Sequence, residues 1–377
     1  MKKLLILALV FALVMGLCAC VSDNQISNTT ESNQTLPSLS PDSPGAPVST
    51  ETPESGAPAT DAPETTASAE TEPTQTDAPA VPSEELHIYS LKGPTSMGLV
   101  TLLRDSAEGK TVNEYKSTMC TAADEVTAAL INGDADIALL PANAAATLFN
   151  KAGGFSVVAI NTLGVLYIVE NGDTVQSIED LAGKTICLTG KGTTPEYALR
   201  YLLAAHDIED QVTLEFKSEA QEVVTAMAED VANIGLLPQP FVTAAMMQNE
   251  NLRQVLDLNQ EWAAVTDDSI LVTGVTVVRN EILERYPDQI ALFLMESHDA
   301  VDYVNAHPEE AAQLIVDMGI VAKAPIAQKA IPYCNLVCLT GPEMKTLLSG
   351  YLQTLFEQNP KAVGEAMPAD SFYYTGE

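Results

Sequence analysis

Between Lys3 and Lys92 the chain contains no Lys or Arg, and from residue 21 to 85 it contains no Phe, Tyr or Trp. That second stretch instead holds 12 acidic side chains and 10 of the 22 prolines. Such a composition cannot bury enough apolar surface to offset chain entropy, so residues 20–85 read as a disordered Ser/Thr/Pro/Glu-rich tether. Positive charge is scarce everywhere: 18 Lys and Arg stand against 51 Asp and Glu, a formal charge of -33. This disfavours nucleic acid and anionic lipid surfaces as partners, because both are held by clustered basic side chains. The four histidines (His87, His206, His298 and His307) are scattered, with no pair at ligand spacing beside a cysteine. No metal or cofactor is called for. Gly-x-Ser-x-Gly, Ser-x-x-Lys and His-Glu-x-x-His are all missing, and an enzyme is not expected. Ala182-Gly-Lys-Thr185 imitates the end of a phosphate-binding loop, but Ile178 stands where the upstream glycine belongs.

What is present begins with the N-terminus. Lys2 and Lys3 precede an uncharged apolar run from Leu4 to Leu17, followed by Cys18-Ala19-Cys20. A positive start, an apolar stretch and small residues before a break describe an export signal. The competing reading is an uncleaved anchor, since apolar character continues to Val21 and just reaches the ~18 residues of a span. Leu17-Cys18-Ala19-Cys20 resembles the bacterial lipoprotein box, which implies a leader over 1–19 and a lipid on Cys20. Cys18 departs from the usual small residue there. A flexible 65-residue tether behind such an anchor would give a reach of ~45 Å. Of the remaining cysteines, Cys334 and Cys338 are four apart, and a disulfide between them competes with buried free thiols.

An internal repeat sets the architecture. Glu125–Pro141 aligns without gaps on Glu222–Pro238, each copy reading as an amphipathic helix, a polar connection and an apolar strand ending at Pro. Upstream, strand Leu86–Leu91 leads through Lys92-Gly-Pro-Thr-Ser96 into a helix, and strand Thr185–Thr189 leads through Gly190-Lys-Gly-Thr-Thr194 into another opened by Pro195. Gly after a strand, a hydroxyl at the cap and Pro in the first turn are helix-start chemistry. Further strands are expected at 112–117, 155–161 and 212–217. The order β-α-β-α-β, twice, predicts two mostly parallel sheets covered by helices. After residue 279 the pattern is helical to about 358, broken at Pro287, Pro308, Pro325, Pro332 and Pro342. Two such halves set the carboxyl ends of both sheets against a shared cleft that closes on a hinge.

Asp180-Leu-Ala-Gly-Lys-Thr-Ile186 with Thr189-Gly-Lys-Gly-Thr-Thr-Pro-Glu-Tyr-Ala198, and Gly133-Asp-Ala-Asp-Ile-Ala138 with Leu140-Pro-Ala-Asn-Ala144, resemble the substrate-binding proteins of ABC importers. The nearer likeness is to the nitrate, sulfonate, taurine and thiamine-precursor group. The resemblance implies the periplasmic-binding-protein type II fold: lobe 1 over 86–164 plus 274–377, lobe 2 over 165–273, and a central ligand cleft. It implies a monomer that hands a small anionic or heteroaromatic solute to a membrane permease from the outer face of the bacterial cell membrane. A receptor module signalling ligand occupancy to a membrane sensor is the alternative. Carried over onto this sequence, the ligand-facing positions are Gly93, Pro94, Thr95, Ser96, Met97, Asn143, Thr162, Lys191, Gly192, Thr193, Thr194, Gln239 and Thr273. The Lys191–Thr194 loop offers free N–H groups, two hydroxyls and one positive charge at a helix start, which suits an anion. Asn143 and Gln239 either bind ligand or cap helices, and the lone Trp262 either covers a ring or packs in a core.

Overall fold

The computed structural model describes residues 82–266 and 269–376. The leader, Cys20 and nearly all of the tether lie outside the described residues. The chain first lays down β1 (Glu85–Leu91), β2 (Glu114–Cys120), β3 (Ile137–Pro141) and β4 (Phe155–Leu163). It continues with β5 (Leu166–Asn171), β6 (Thr185–Leu188), β7 (Thr213–Phe216), β8 (Ile234–Pro238) and β9 (Leu252–Asp257). β10 (Val272–Arg279) and β11 (Leu336–Thr340) complete the set. They form a six-stranded sheet of order β11-β4-β10-β3-β1-β2 and a five-stranded sheet of order β7-β6-β8-β5-β9. Helices pack against both, and the whole is the periplasmic-binding-protein type II fold.

The repeat is visible in three dimensions. An offset of 97 carries Ile137–Pro141 onto Ile234–Pro238, and helix Ala123–Asn132 onto the whole of helix Ala220–Ala228. The same glutamate secures both helix starts: Glu125 accepts the N–H of Thr121 and Ala122, and Glu222 accepts the N–H of Ser218. A carboxylate on those otherwise unpaired amides stabilises the first turn.

In the first sheet β2, β1, β3 and β4 run the same way, and in the second β7, β6, β8 and β9 do, so both are mostly parallel, with β10, β11 and β5 reversed. β10 is antiparallel to both β3 and β4, and β5 is antiparallel to both β8 and β9. Each of these inserted strands has just arrived from the other sheet, β5 directly after β4 and β10 after β9. A chain entering from the opposite side runs against the strands already there. β11 is a correction, since a strand stands between Pro332 and Pro342 in a region expected to be helical apart from its proline breaks. Pro332 and Pro342 end the flanking helical pattern, and the short run Leu336–Thr340 pairs antiparallel with β4.

One apolar core joins the two halves. Ala142, Ala145, Tyr351 and Leu352 pack in the same cluster as Leu199, Leu202 and Trp262. Cys334 and Cys338 are free thiols. The Cys334 Sγ lies 3.8 Å from the sulfur of Met97, and burial pushes its thiol up to about 12.

In the second sheet, Glu170 leaves 3% of its side chain exposed. It accepts the N–H groups of Thr174 and Val175 at 3.0 and 3.1 Å and the guanidinium of Arg253 at 3.0 Å. Burial alone would raise this carboxyl, but the Thr174 hydroxyl, these amides and Arg253 outweigh it and hold it below its ordinary value. A depressed folded-state value stabilises the fold above the unfolded value of about 4.3 and is lost as pH falls through the folded one. Glu170→Gln is expected to cost about 1–3 kcal/mol at pH 7, because an amide nitrogen would face amide donors. It should also lessen the loss of stability below pH 4. Urea unfolding of both proteins at pH 7 and pH 3 checks this, and a parallel shift at both pH values would contradict it.

Candidate functional site

Register places the expected positions along one end of each sheet. In the first, Gly274 of β10 lies opposite Pro141 of β3 on one side and Thr162 of β4 on the other. β1 runs parallel to β3, so the loop after Leu91 opens at this same end. In the second, Leu166 of β5 lies opposite Pro238, and the Gln239 N–H donates to the Val165 carbonyl at 3.0 Å. Only Gly164 and Val165 separate β4 from β5. The carboxyl ends of the parallel strands of both sheets therefore converge on this crossing.

On the first-sheet side, the hydroxyls of Thr95 and Ser96 turn back onto the Leu91 carbonyl, and the Ser96 hydroxyl also shares a hydrogen bond with that of Ser90. Gly93 takes φ +144 ahead of Pro94, which opens the short helix Pro94–Met97. Met97 is fully buried against Cys334, on the core side of that helix. Thr162 is buried and donates to Asn161 at 2.8 Å, while Asn161 donates to Thr276 at 3.1 Å. Gly274 is small of necessity, since a Cβ there would lie 2.4 Å from Asn161 Oδ1 and 2.7 Å from Thr95 Cγ2. The neighbouring Thr273 hydroxyl is buried and has no hydrogen-bond partner among the described residues. A buried polar group left so is where a ligand or an ordered water belongs.

On the second-sheet side, Gly190 turns at φ +78 and helix Thr194–Ala205 follows, with Pro195 in its first turn. The structure separates this loop into two parts. Lys191, Gly192 and Thr193 are exposed, whereas Thr194 is buried. The Thr193 hydroxyl donates to the Gly190 carbonyl at 2.7 Å, and the Gly192 N–H donates to Glu196 at 2.7 Å. Lys191 lies over the Phe216 ring, 5.7 Å from its centre. Burial opposes ionisation of Glu196, yet the Gly192 amide and Arg200 hold its carboxyl below the ordinary value. One amide of the expected anion cradle is thus occupied by the protein's own carboxylate.

Thr194 reaches across the junction. Its hydroxyl donates to Asn143 Oδ1 at 3.2 Å and accepts from the Tyr351 hydroxyl at 3.4 Å. The Asn143 amide donates in turn to the Ala362 carbonyl at 3.5 Å. Gln239, the repeat equivalent of Asn143, is instead used locally, accepting the N–H and hydroxyl of Thr243 at 3.3 and 2.8 Å. Trp262 is fully buried, 4.4 Å from the Tyr201 ring and 5.8 Å from that of Tyr351, with its N–H on Ser269. Tyr351 and Ala362 carried no local signal in the sequence, lying more than 150 residues from the partners they meet. Among the described residues no group of three or more His, Cys, Asp or Glu side chains is placed to hold a metal ion.

Comparison with known proteins follows the same line. No curated protein matches the chain. An ABC transporter from Parabacteroides distasonis is 24% identical with a TM-score of 0.66, over 77% of this chain and 98% of its own. The alkanesulfonate-binding protein SsuA from Xanthomonas axonopodis pv. citri, bound to MOPS, is 12% identical with a TM-score of 0.59, over 78% and 98%. The periplasmic nitrate-binding protein NrtA from Synechocystis PCC 6803 is 13% identical with a TM-score of 0.50, over 69% and 74%. At these identities the structural likeness carries the fold. The NMT1/THI5-like family model matches residues 119–311, a span from the end of β2 through both crossings between the sheets. The chain belongs to the NMT1/THI5-like family.

Proposed function

We propose that the protein is the extracytoplasmic solute-binding component of an ABC importer. It captures a small molecule between lobe 1 (86–164 plus 274–377) and lobe 2 (165–273) and delivers it to a membrane permease. The observation that carries this is the contact of Asn143 with Thr194, which brings a helix start behind the first sheet against a helix start behind the second. In open α/β sheets, ligands bind at such carboxyl ends. The orphaned Thr273 hydroxyl at the same end supports a polar ligand contact there.

The ligand is best read as an uncharged heteroaromatic solute. Glu196 sits on the Gly192 amide and beside Lys191, so an anion arriving at this loop meets a carboxylate already in place. The hydroxyls and amides of Asn143, Thr194 and Thr273 suit the edge of a nitrogen heterocycle. Thermal unfolding against pyrimidines, flavins, sulfonates, nitrate and bicarbonate tests both statements. Ligand at 100 times its Kd should add about 2.7 kcal/mol of stability. Stabilisation by a heterocycle is expected. Stabilisation by nitrate or a sulfonate alone would overturn the ligand class. No shift with any, together with no small molecule carried through native mass spectrometry, would overturn solute binding.

Anchoring follows from the lipoprotein box. Cys20→Ala is expected to move the protein from the membrane fraction to the soluble one, read by fractionation and by mass of the mature N-terminus. A Cys20→Ala protein that stays with membranes would show an uncleaved anchor instead.

A further inference from the structure

A groove of about 730 Å³ runs between helix Thr194–Ala205 and helix Gly341–Gln358, away from the expected ligand positions and sharing no residue with them. Its volume is that of small-molecule sites. One wall belongs to the second-sheet segment, the other to the first, and Ser269 on the returning connection lies between them. The charges are unbalanced. Arg200 is already engaged twice, by Glu196 at 2.9 Å and Glu209 at 3.2 Å, while Glu357 adds a third carboxylate that accepts from the Gln353 amide at 2.7 Å. Among the described lining residues Arg200 is one cation against three carboxylates, so an incoming carboxylate meets net negative charge, whereas a cation finds an excess of acceptors. Beside Glu357, Gln358 Oε1 is buried with no hydrogen-bond partner among the described residues, an acceptor short of a donor. Tyr197 and Tyr201 also line the groove, and aromatic faces attract organic cations.

We propose that this groove is a second ligand site, taking an organic cation that carries N–H donors on a planar group. Its donors would meet Glu357 and Gln358, and its ring the tyrosines. Glu196 links the groove to the neighbouring loop, since one carboxylate oxygen holds Arg200 and the other the Gly192 amide. An occupant that draws on Glu196 would therefore be felt at the start of helix Thr194–Ala205.

Calorimetric titration of the full chain with benzamidinium, neutral benzamide and benzoate tests the proposal. Saturable benzamidinium binding is expected, with benzamide at least tenfold weaker and benzoate silent. The chain's acidity attracts any cation, so the exposed Glu357 provides the control: Glu357→Gln should weaken benzamidinium at least fivefold. Gln358→Leu should do the same if its thermal unfolding is unchanged. Thr273→Val, which alters the expected ligand cleft on the first-sheet side, should leave benzamidinium affinity as it was, so failure of one site is told apart from failure of the other. Absence of saturable benzamidinium binding, benzoate binding as tight, or an unchanged affinity in Glu357→Gln would each overturn it.

Discussion

Trp262→Ala is expected to cost about 3–5 kcal/mol, the range for removing a large aromatic side chain from a packed core. The indole is fully buried. It is held between Tyr201 of the second-sheet segment and Tyr351 of the first, and its N–H is satisfied by Ser269. Truncation removes all of these contacts and leaves a void that the two ring walls can close only by moving one helix toward the other. It also strands the Ser269 hydroxyl beside that void. Trp262→Phe keeps most of the volume and should cost clearly less. Urea unfolding with a two-state fit gives both values. A loss below 1 kcal/mol for the alanine variant would mean that the halves are not coupled through this residue.

Thr194→Val should weaken solute binding ten- to hundredfold, or roughly 1.4–2.7 kcal/mol, without changing the fold. The exchange keeps the branched shape and deletes the one hydroxyl that bridges Asn143 and Tyr351. Asn143 then lacks its partner from the second-sheet segment, and any solute oriented by that pair loses its alignment. Thr193→Ala should be close to silent, because that hydroxyl is spent on the Gly190 carbonyl. The contrast between adjacent threonines is the discriminating result. Calorimetry with the stabilising heterocycle measures it, and equal effects at the two positions would place the ligand on the exposed part of the loop.

Much of this was legible in the sequence because it is local. The repeat around Ile137 and Ile234 carries its own periodicity and ends at proline in both copies, so two helices and two buried strands follow from pattern alone. The start of helix Thr194–Ala205 is likewise written in Gly190, Thr193 and Pro195. β5, β9 and β10 were not read as strands at all, and the direction of β5 and β10 depends on which sheet the chain has just left. β11 was hidden because its five residues are too few to show a period between two proline-bounded helices. At the site, sequence reasoning put Thr193 and Thr194 together. Adjacent positions at a helix start point in different directions, and only the structure shows one hydroxyl turned inward and the other folded back. The occupation of the Gly192 amide by Glu196 was unread for the same reason, since a carboxylate four residues on is equally a helix-surface charge.

The central position of β10 has a consequence for how the molecule is assembled from a chain that emerges N-terminus first. Its two neighbours, β3 and β4, are complete by residue 163, but the strand that joins them begins only at Val272. Until more than a hundred further residues have been made, β3 and β4 each present a row of unsatisfied amides and carbonyls, and such edges recruit other chains. The second sheet has no such wait, for all five of its strands lie between Leu166 and Asp257. The middle of the chain thus encodes the sheet that can finish first, and the sheet begun before it is left dependent on a strand that arrives after the other is built. Fragments ending near residue 265 should accordingly aggregate through the first sheet while keeping the second intact.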